Sequence, residues 1–234
     1  MHLFHSDFSI VWDWIHIENQ SLAHQMRNVL RRKNSQKFFI QKSYDNQTLR
    51  IEVKLRDISW STILWEIQSS TIQTHKNNYG LIVGMPNKRS KIEYIIQKCT
   101  EIGITDFSFC PMQRSIIKKF NSKKSNRLKK IAHEAVEQSR WRQVPTIQYY
   151  NSIHNACWKR ENIYIASIDA TQSAYSTKFA SNSCLIVWPE WWFTAQDEKE
   201  IATTKYSYEK ISFNKNILRT ETACIVGSWI LLCH

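Results

Sequence analysis

The chain contains the sequence Cys184-Leu185-Ile186-Val187-Trp188-Pro189-Glu190-Trp191-Trp192-Phe193-Thr194, which predicts a strand, then a loop, then a helix start. The apolar run 184–187 is typical of a buried strand, and Pro189 ends it. Thr194 with Asp197 three residues later is typical of a helix N-terminus. Because open α/β sheets bind ligands between a strand end and a helix start, this loop is a candidate site.

A second stretch, Ile217-Leu218-Arg219-Thr220-Glu221-Thr222-Ala223, has a similar setting. It follows a predicted strand near 210–213 and leads into an apolar helix from about residue 220. Two loops of this kind can line one site.

Strands and helices alternate from residue 79 onward. An apolar strand, Tyr79–Val83, precedes a helix over Ser90–Ile102, and Gly103 stands where a C-terminal cap belongs. Further elements are predicted as strands at 105–110, 163–168 and 184–187, and as helices at 125–139 and from 195. This alternation predicts an α/β domain with a mostly parallel sheet covered by helices on both faces.

The first 72 residues have a different pattern, with short alternating segments separated by polar turns. Period-two alternation at this spacing predicts a small β-barrel. The segments are Ile15–Ile17, Lys37–Ile40, Leu49–Val53 and Ile63–Ile67. Residues 68–78 are polar and are predicted to be a linker, which gives domains at 1–72 and 73–234.

An amphipathic helix is predicted over Ser21–Arg32. Its apolar residues Leu22, Met26, Val29 and Leu30 recur at helical spacing, and this places Arg27 near Arg31 on a more exposed face. Like charges there repel unless an anion lies between them. The residues alone leave two interpretations open, an anion-binding helix and an ordinary helix with solvated arginines.

The formal net charge of +12 in 234 residues predicts a polyanionic partner. Nucleic acid is the first candidate, and an anionic membrane surface is the alternative. Residues 114–130 carry eight basic and no acidic residues, so this run would gain affinity for a phosphate backbone by releasing counterions. No apolar run has the length of a membrane span and the N-terminus lacks a signal-peptide pattern, so we expect a cytoplasmic protein.

The six cysteines contain no Cys-x-x-Cys pair, and the eight histidines show no metal-ligand spacing. Cys99, Cys110, Cys184 and Cys224 fall inside apolar segments, where a free thiol behaves as a small hydrophobic group. We therefore expect buried reduced thiols, with neither a metal site nor a disulfide framework. The chain also has neither a Gly-x-Gly-x-x-Gly nor a Walker-type loop, which argues against an ordinary nucleotide-binding enzyme.

The stretches at 184–194 and 217–223 resemble the Gly-Pro-Glu-Gly-Gly-Phe and Ile-Leu-Arg-Thr-Glu-Thr-Ala signatures of the RsmE-like family. These are knotted (SPOUT) methyltransferases that methylate N3 of a uridine in small-subunit (16S) ribosomal RNA. The second signature is intact. Gln113-Arg114-Ser115 resembles the family's Glu-Arg-Ser element, Glu137–Arg140 its Glu-Gln-Ser-x-Arg element, and the helix at 21–32 its His-x-x-x-Val-Leu-Arg element.

The resemblance implies a PUA-like RNA-binding β-barrel followed by a SPOUT domain with a trefoil knot. It implies S-adenosylmethionine as cofactor, 16S ribosomal RNA or the small ribosomal subunit as partner, and a homodimer. From the residues themselves we expect no membrane and no metal. The implied cofactor contacts are Val187, Trp188, Pro189, Glu190, Trp191, Trp192, Phe213, Ile217, Leu218 and Thr220. The implied RNA contacts are Arg27, Arg31, Arg32, Arg114, Lys118, Lys119, Arg140 and Arg142.

The implied catalytic residues are Arg219, Glu221 and Arg114. Arg219 or Arg114 would stabilise the anion that develops on the uridine oxygens. Glu221 would accept a proton or orient Arg219. An alternative remains for this segment, in which Thr220 caps the last helix and Glu221 is favoured by the helix dipole.

One departure from the family pattern concerns Trp188, Trp191 and Trp192, which stand where the family has glycine. The chain has 4 Gly and 10 Trp, although glycine is normally about 7% of a chain. Trp12, Trp14 and Trp141 also lie where glycine would be more natural. We hypothesise that many of these tryptophans are UGA codons that the source organism reads as glycine. A diverged protein with true tryptophans is the alternative.

Two other functions follow from these alternatives. If Trp188, Trp191 and Trp192 are real, they would fill the cofactor loop, and the chain would be a non-catalytic RNA-binding protein that stacks bases on their rings. The chain could also be a knotted methyltransferase that acts on a ribose hydroxyl or on transfer RNA. Cofactor binding tests the first alternative, and the position of the methyl group tests the second.

Overall fold

The computed structural model describes residues 3–29, 35–44, 47–74, 78–113, 115, 122–141, 143–157, 160–189, 194–203 and 207–233. The chain divides into two compact units, Met1–His75 and Lys76–His234.

The first unit is built on a six-stranded sheet in the order β1-β4-β5-β6-β3-β2. β1 pairs with β4 in parallel, and all the other neighbours are antiparallel. Its strands are β1 Leu3–His5, β2 Ser9–Val11, β3 Trp14–Glu18, β4 Lys37–Tyr44, β5 Gln47–Ile58 and β6 Thr62–Thr74. The four predicted segments all lie in these strands. The two three-residue strands, β1 and β2, were not predicted, and closure of the sheet into a barrel stays a prediction.

The predicted linker at 68–78 is wrong in its first part. Residues 68–74 continue β6, and Gln47–Thr74 is the last residue pair in its ladder with β5. These residues are polar because the end of β6 is exposed, so their composition reflects a solvated strand rather than a loop.

The helix predicted over Ser21–Arg32 begins as α1, Gln20–His24, and continues as a π-helical turn, Gln25–Val29. The side chain of Asn19 caps α1 by accepting a hydrogen bond from the backbone N–H of Leu22 at 3.0 Å. Leu22 and Met26 are buried against the sheet, as their spacing predicts. Leu30, Arg31 and Arg32 lie outside the described residues.

Two tryptophans of the first unit have opposite environments. Trp65 is fully buried, and its ring stacks on Phe38 with centroids 6.1 Å apart. Trp12 lies in the turn after β2, is 91% exposed, and has φ +58°. Since bulky residues rarely adopt positive φ, glycine suits position 12 and tryptophan suits position 65.

The second unit is built on a six-stranded sheet in the order β12-β10-β11-β7-β8-β9, with every neighbouring pair parallel. Its strands are β7 Gly80–Gly84, β8 Asp106–Cys110, β9 Thr146–Tyr149, β10 Asn162–Ala166, β11 Ser183–Val187 and β12 Tyr208–Ile211. The predicted parallel sheet is confirmed. The prediction lacked the short strand β9.

Helices cover both faces of this sheet, as expected for a parallel sheet. They are α2 Arg89–Ile102, α3 Ser122–Ser139, α4 Ile153–Cys157, α5 Ala195–Ala202 and α6 Thr220–Leu232. α2, α3 and α6 contribute to one buried cluster, while α4 and α5 contribute to the other. α2 ends as predicted at Gly103, whose φ of +123° is a conformation that favours glycine.

Cys99, Cys110, Cys157, Cys184 and Cys224 are buried free thiols, and Cys233 is exposed. Burial raises the pKa of Cys99 to about 12, from 9.0 for an ordinary thiol. The expectation of buried reduced thiols is therefore confirmed for the four cysteines in apolar segments.

The chain leaves β7 toward β8 and β9, then returns to place β10, β11 and β12 on the other side of β7. The reversal creates a crevice at the carboxyl ends of the strands, which is the usual ligand position in open α/β sheets. Both motif-bearing stretches follow strands on this second side.

Candidate functional site

A cavity of about 390 Å³ lies where β10, β11 and β12 end. Its size is within the range of small-molecule sites. Six of the predicted cofactor residues line it, namely Val187, Trp188, Pro189, Phe213, Ile217 and Leu218. The structure therefore brings the two motif-bearing stretches together around one cavity.

Trp188 is a half-buried wall of this cavity. Its indole Nε1 donates a hydrogen bond to the carbonyl oxygen of Ala166 at 3.0 Å, which joins the residue after β11 to the last residue of β10. The cavity persists with this indole in place, so Trp188 alone does not fill it.

The segment Ala166–Asp169 forms a wall that the sequence analysis missed. Ala166 is the last residue of β10 and the other three directly follow it, so the rule that ligands bind at the carboxyl ends of parallel strands could have identified them. Asp169 is exposed and adds a carboxylate to the cavity.

A second group of missed polar residues comes from α5 and β12. Glu198, in the first turn of α5, contacts Lys210 of β12 in an ion pair, and both side chains line the cavity. Together with Asp169 they give the cavity two carboxylates and one ammonium group. Such a set matches a ligand with charges of both signs.

The N-cap residue of α6 differs from the predicted one. Arg219 is exposed and is itself the N-cap residue, without a side-chain capping bond. Thr220 is the first helical residue and is buried, and among the described residues its hydroxyl has no hydrogen-bond partner. The prediction that Thr220 caps the helix is therefore wrong, because Thr220 is itself helical and its side chain is buried.

Glu221 lies in the first turn of α6, where the helix dipole favours a carboxylate. Its Oε2 lies 3.5 Å from Nζ of Lys91 on α2, an ion pair longer than a hydrogen bond, and both side chains are mostly buried. Neither Arg219 nor Glu221 is among the described residues that line the cavity.

Several predicted site residues lie outside the described residues. They are Glu190, Trp191 and Trp192 for the cofactor, Arg114 for catalysis, and Arg31, Arg32, Lys118, Lys119 and Arg142 for RNA.

Arg27 is the described member of the predicted arginine pair. Its guanidinium lies 4.7 Å from the ring centroid of Trp60, a cation–π contact, and Trp60 is 74% exposed. The guanidinium is thus held in place on the surface of the first unit, where it can meet a phosphate or a base.

An acidic residue of α2 partly neutralises the basic residues of α3. Oε1 of Glu93 in α2 forms ion pairs with Nε of Arg127 at 2.8 Å and with Nε of Arg89 at 2.9 Å. The hydrogen bond to Glu93 raises the pKa of Arg127. Two arginines share one carboxylate, so a net positive charge remains and Arg89 joins the basic surface.

Arg140 is exposed at the end of α3 and has φ +57°. The left-handed residue at this helix end is therefore Arg140, and not the neighbouring Trp141 for which glycine seemed more natural. Trp141 is half-buried and packs on Gly103, where a Cβ would lie 2.9 Å from the indole.

In the described part of the chain, no group of three or more His, Cys, Asp or Glu side chains is arranged to hold a metal ion. None of the described helices combines the length and the apolar character needed to cross a membrane.

Residues 74–231 match the family model of the RNA methyltransferase domain. The chain belongs to this family. It is 27% identical over 232 residues to ribosomal RNA small subunit methyltransferase E 2 of Borreliella burgdorferi, covering 91% of this chain and 88% of that protein. It is 34% identical over 157 residues to ribosomal RNA small subunit methyltransferase E of Bacillus subtilis, covering 60% of this chain and 59% of that protein.

The fold is shared with ribosomal RNA small subunit methyltransferase E of Neisseria gonorrhoeae, solved with bound S-adenosylmethionine. That comparison gives a TM-score of 0.81 at 20% identity, covering 97% of this chain and 95% of the other. The predicted RsmE-like resemblance is confirmed, and the α/β SPOUT fold class with it. The trefoil knot itself stays a prediction from the family.

Proposed function

We propose that this member of the family transfers a methyl group from S-adenosylmethionine to N3 of a specific uridine in 16S ribosomal RNA. One observation carries the proposal: residues of both family signatures meet around one cavity at the carboxyl edge of a parallel sheet. The relatives' names support the small ribosomal subunit as the source of the RNA.

The cavity fits the chemistry of S-adenosylmethionine. Phe213, Ile217 and Leu218 offer an apolar wall for the adenine. The cofactor's methionine part carries an ammonium, a carboxylate and a sulfonium, and the carboxylates of Asp169 and Glu198 with the Lys210 ammonium complement these charges. When bound, the cofactor supplies an electrophilic methyl group.

Positioning and charge stabilisation are what the chain's own residues must add. Uridine N3 loses its proton as the methyl group arrives, so negative charge spreads to the flanking carbonyl oxygens. Arg219 stands at the N-terminus of α6, where its guanidinium and the helix dipole both favour an anion. Arg114 is the second candidate for this role.

Glu221 was predicted as a proton acceptor or as an orienter of Arg219. Its ion pair with Lys91 supports a positioning role, since it ties the start of α6 to α2. In this proposal Glu221 holds the helix turn that carries Arg219, and the proton acceptor is another group or solvent.

RNA binding completes the proposal. Arg27 on Trp60 in the first unit, and Arg89, Arg127 and Arg140 in the second, are cations for the phosphate backbone. Contacts of this kind give affinity that falls with salt and do not read sequence. Selection of one uridine then depends on the fit of the flipped or unpaired base at the cavity.

The proposal includes a homodimer and a cytoplasmic location. Trp229 is 62% exposed on α6 beside the half-buried Ile225 and Val226, which together offer an apolar surface for a second copy. Light scattering after gel filtration tests the dimer, and Trp229→Glu is expected to give a monomer.

The function is tested by incubating the chain with unmethylated small ribosomal subunits and labelled S-adenosylmethionine, then digesting the RNA to nucleosides. The expected product is N3-methyluridine. Arg219→Met should lower the yield strongly, whereas Arg56→Met, which removes an exposed cation in the first unit, should not. A methyl group on a ribose or only on transfer RNA would favour another knotted methyltransferase, and absence of transfer with retained RNA binding would favour the non-catalytic alternative.

A further inference from the structure

Asp197 is a buried acid that connects two loops, in addition to capping a helix. It lies in the first turn of α5 and is 3% exposed. Its Oδ2 accepts hydrogen bonds from the backbone N–H of Thr194 at 3.0 Å and from the Thr194 hydroxyl at 2.6 Å. These bonds, with the Asp197 N–H donated to the Thr194 hydroxyl at 3.3 Å, form a capping box.

The other carboxylate oxygen makes a bond that capping does not require. Oδ1 of Asp197 accepts a hydrogen bond from the backbone N–H of Gln113 at 3.1 Å, across 84 residues of sequence. Gln113 lies in the loop after β8, whereas Thr194 directly follows the loop after β11. One buried carboxylate therefore holds the ends of two loops at the same edge of the sheet.

The loop after β8 is already closed on itself. The backbone N–H of Met112 donates to the Ser115 hydroxyl at 2.9 Å, and the N–H of Ser115 donates to the Met112 carbonyl at 2.9 Å. Gln113 and Arg114 are the residues between them in sequence. The Asp197 bond thus connects a small closed loop, and not a free segment, to α5.

A packing contact supports the same connection. A Cβ at Gly84 would lie 2.3 Å from Cδ of Pro189 and 2.5 Å from Sδ of Met112. Pro189 of the β11 loop and Met112 of the β8 loop therefore approach the same backbone atoms, and only glycine leaves room for both.

We infer that Asp197 is a positioning residue, which sets the backbone of Gln113, the residue before Arg114 in the sequence, relative to the cofactor cavity. This inference rests on the proposed function, because it assigns the loop to the RNA and the reacting base. Because this hydrogen bond is made to a backbone N–H, it fixes the position of the main chain at Gln113 independently of the side-chain conformation. Loss of the bond should therefore impair methyl transfer more than cofactor binding.

Asp197→Asn separates the two roles of the side chain. The asparagine carbonyl can still accept from Thr194, but its amide then faces the Gln113 N–H, donor against donor. Thr194→Val is the matched control, since it removes two capping bonds and leaves both the Gln113 bond and the Thr194 N–H bond intact. Thr194 has no assigned role at the cavity.

The experiment measures single-turnover methylation of small subunits and calorimetric affinity for S-adenosylmethionine. Asp197→Asn is expected to slow methyl transfer on the order of 10- to 100-fold with cofactor affinity within about threefold, as for misplaced reacting groups. Thr194→Val should lower the urea midpoint but keep the transfer rate within about threefold. Equal transfer rates in the two variants would overturn the inference.

Amide exchange of Gln113 in the unaltered protein gives a test that needs no variant. The cross-loop bond predicts a protected Gln113 amide although its side chain is exposed. Exchange at the unprotected rate would overturn the inference even if Asp197→Asn did not fold. If the unaltered protein transfers no methyl group, the proposed function fails, and a protected Gln113 amide would then leave only a structural connection.

Discussion

Trp188 and Ala166 are joined by a hydrogen bond of 3.0 Å from the indole Nε1 to the backbone carbonyl, and both residues line the same cavity. The bond connects the residue that follows β11 to the last residue of the neighbouring parallel strand β10. The cavity is therefore held by a side chain at a position where the family has glycine.

Replacing Trp188 by Phe should lower the free energy of unfolding by about 1 kcal/mol. The variant keeps an aromatic ring at this position, but the Ala166 carbonyl loses its hydrogen-bond donor. Urea unfolding followed by circular dichroism measures this change. Trp12→Phe is the control, because Trp12 is 91% exposed and its replacement should change stability by less than about 0.5 kcal/mol. Equal effects in the two variants would mean that the indole bond does not hold the loops.

Peptide mass spectrometry of the protein made in its native source should find glycine at many of the ten tryptophan positions. Position 12 is the strongest structural case, because its positive φ and exposure suit glycine. Position 65 is the internal control, since its fully buried indole stacks on Phe38 and should be tryptophan. Tryptophan mass at all ten positions would refute the recoding hypothesis.

Glu221→Gln should slow methyl transfer by less than about tenfold and lower stability by about 1 kcal/mol, because it removes the negative charge that faces Lys91 in a mostly buried ion pair while a side chain of the same size stays at the start of α6. Lys91→Met should lower stability similarly. The transfer rate and the urea midpoint are measured on both variants. A folded Glu221→Gln protein that transfers about a hundredfold more slowly would identify Glu221 as a proton acceptor.

Thiol titration at pH 8 should detect only Cys233 in the folded protein and all six cysteines after denaturation. Burial raises the pKa of Cys99 from 9.0 to about 12, so the folded chain keeps a proton that the unfolded chain releases above pH 9. The contribution of this thiol to stability is complete below pH 9 and is lost as the pH rises toward 12. Rapid reaction of more than one thiol at pH 8 would contradict the buried arrangement.

The sequence predicted the elements whose signals are local. Gly103 marked the end of α2, and Thr194 with Asp197 marked the start of α5, because caps depend on residues within one helical turn. Of the six predicted residues that line the cavity, five lie in the two signature-bearing stretches, and Phe213 lies outside them.

The features that the sequence did not predict are very short elements, the exact start of one helix, and contacts between residues far apart in the chain. Strands β1 and β2 have three residues each, too few to show alternation. Thr220 looked like a cap, yet Arg219 takes that position because the helix begins at Thr220, one residue earlier than a Thr220 cap would require. The bond between Asp197 and Gln113, and the sharing of Glu93 by Arg127 and Arg89, join residues that only the folded chain brings together.

Calorimetric titration of S-adenosylmethionine tests most directly whether the cavity between the two signature loops is the cofactor site. It is performed on the chain as written and on a form with Trp188→Gly, Trp191→Gly and Trp192→Gly, and a third protein adds Ala223→Trp to fill the cavity. We expect the glycine form to bind the cofactor, and Ala223→Trp to abolish this binding while the protein stays folded. If neither the chain with its tryptophans nor the glycine form binds S-adenosylmethionine, although both are folded, the cavity is not the cofactor site.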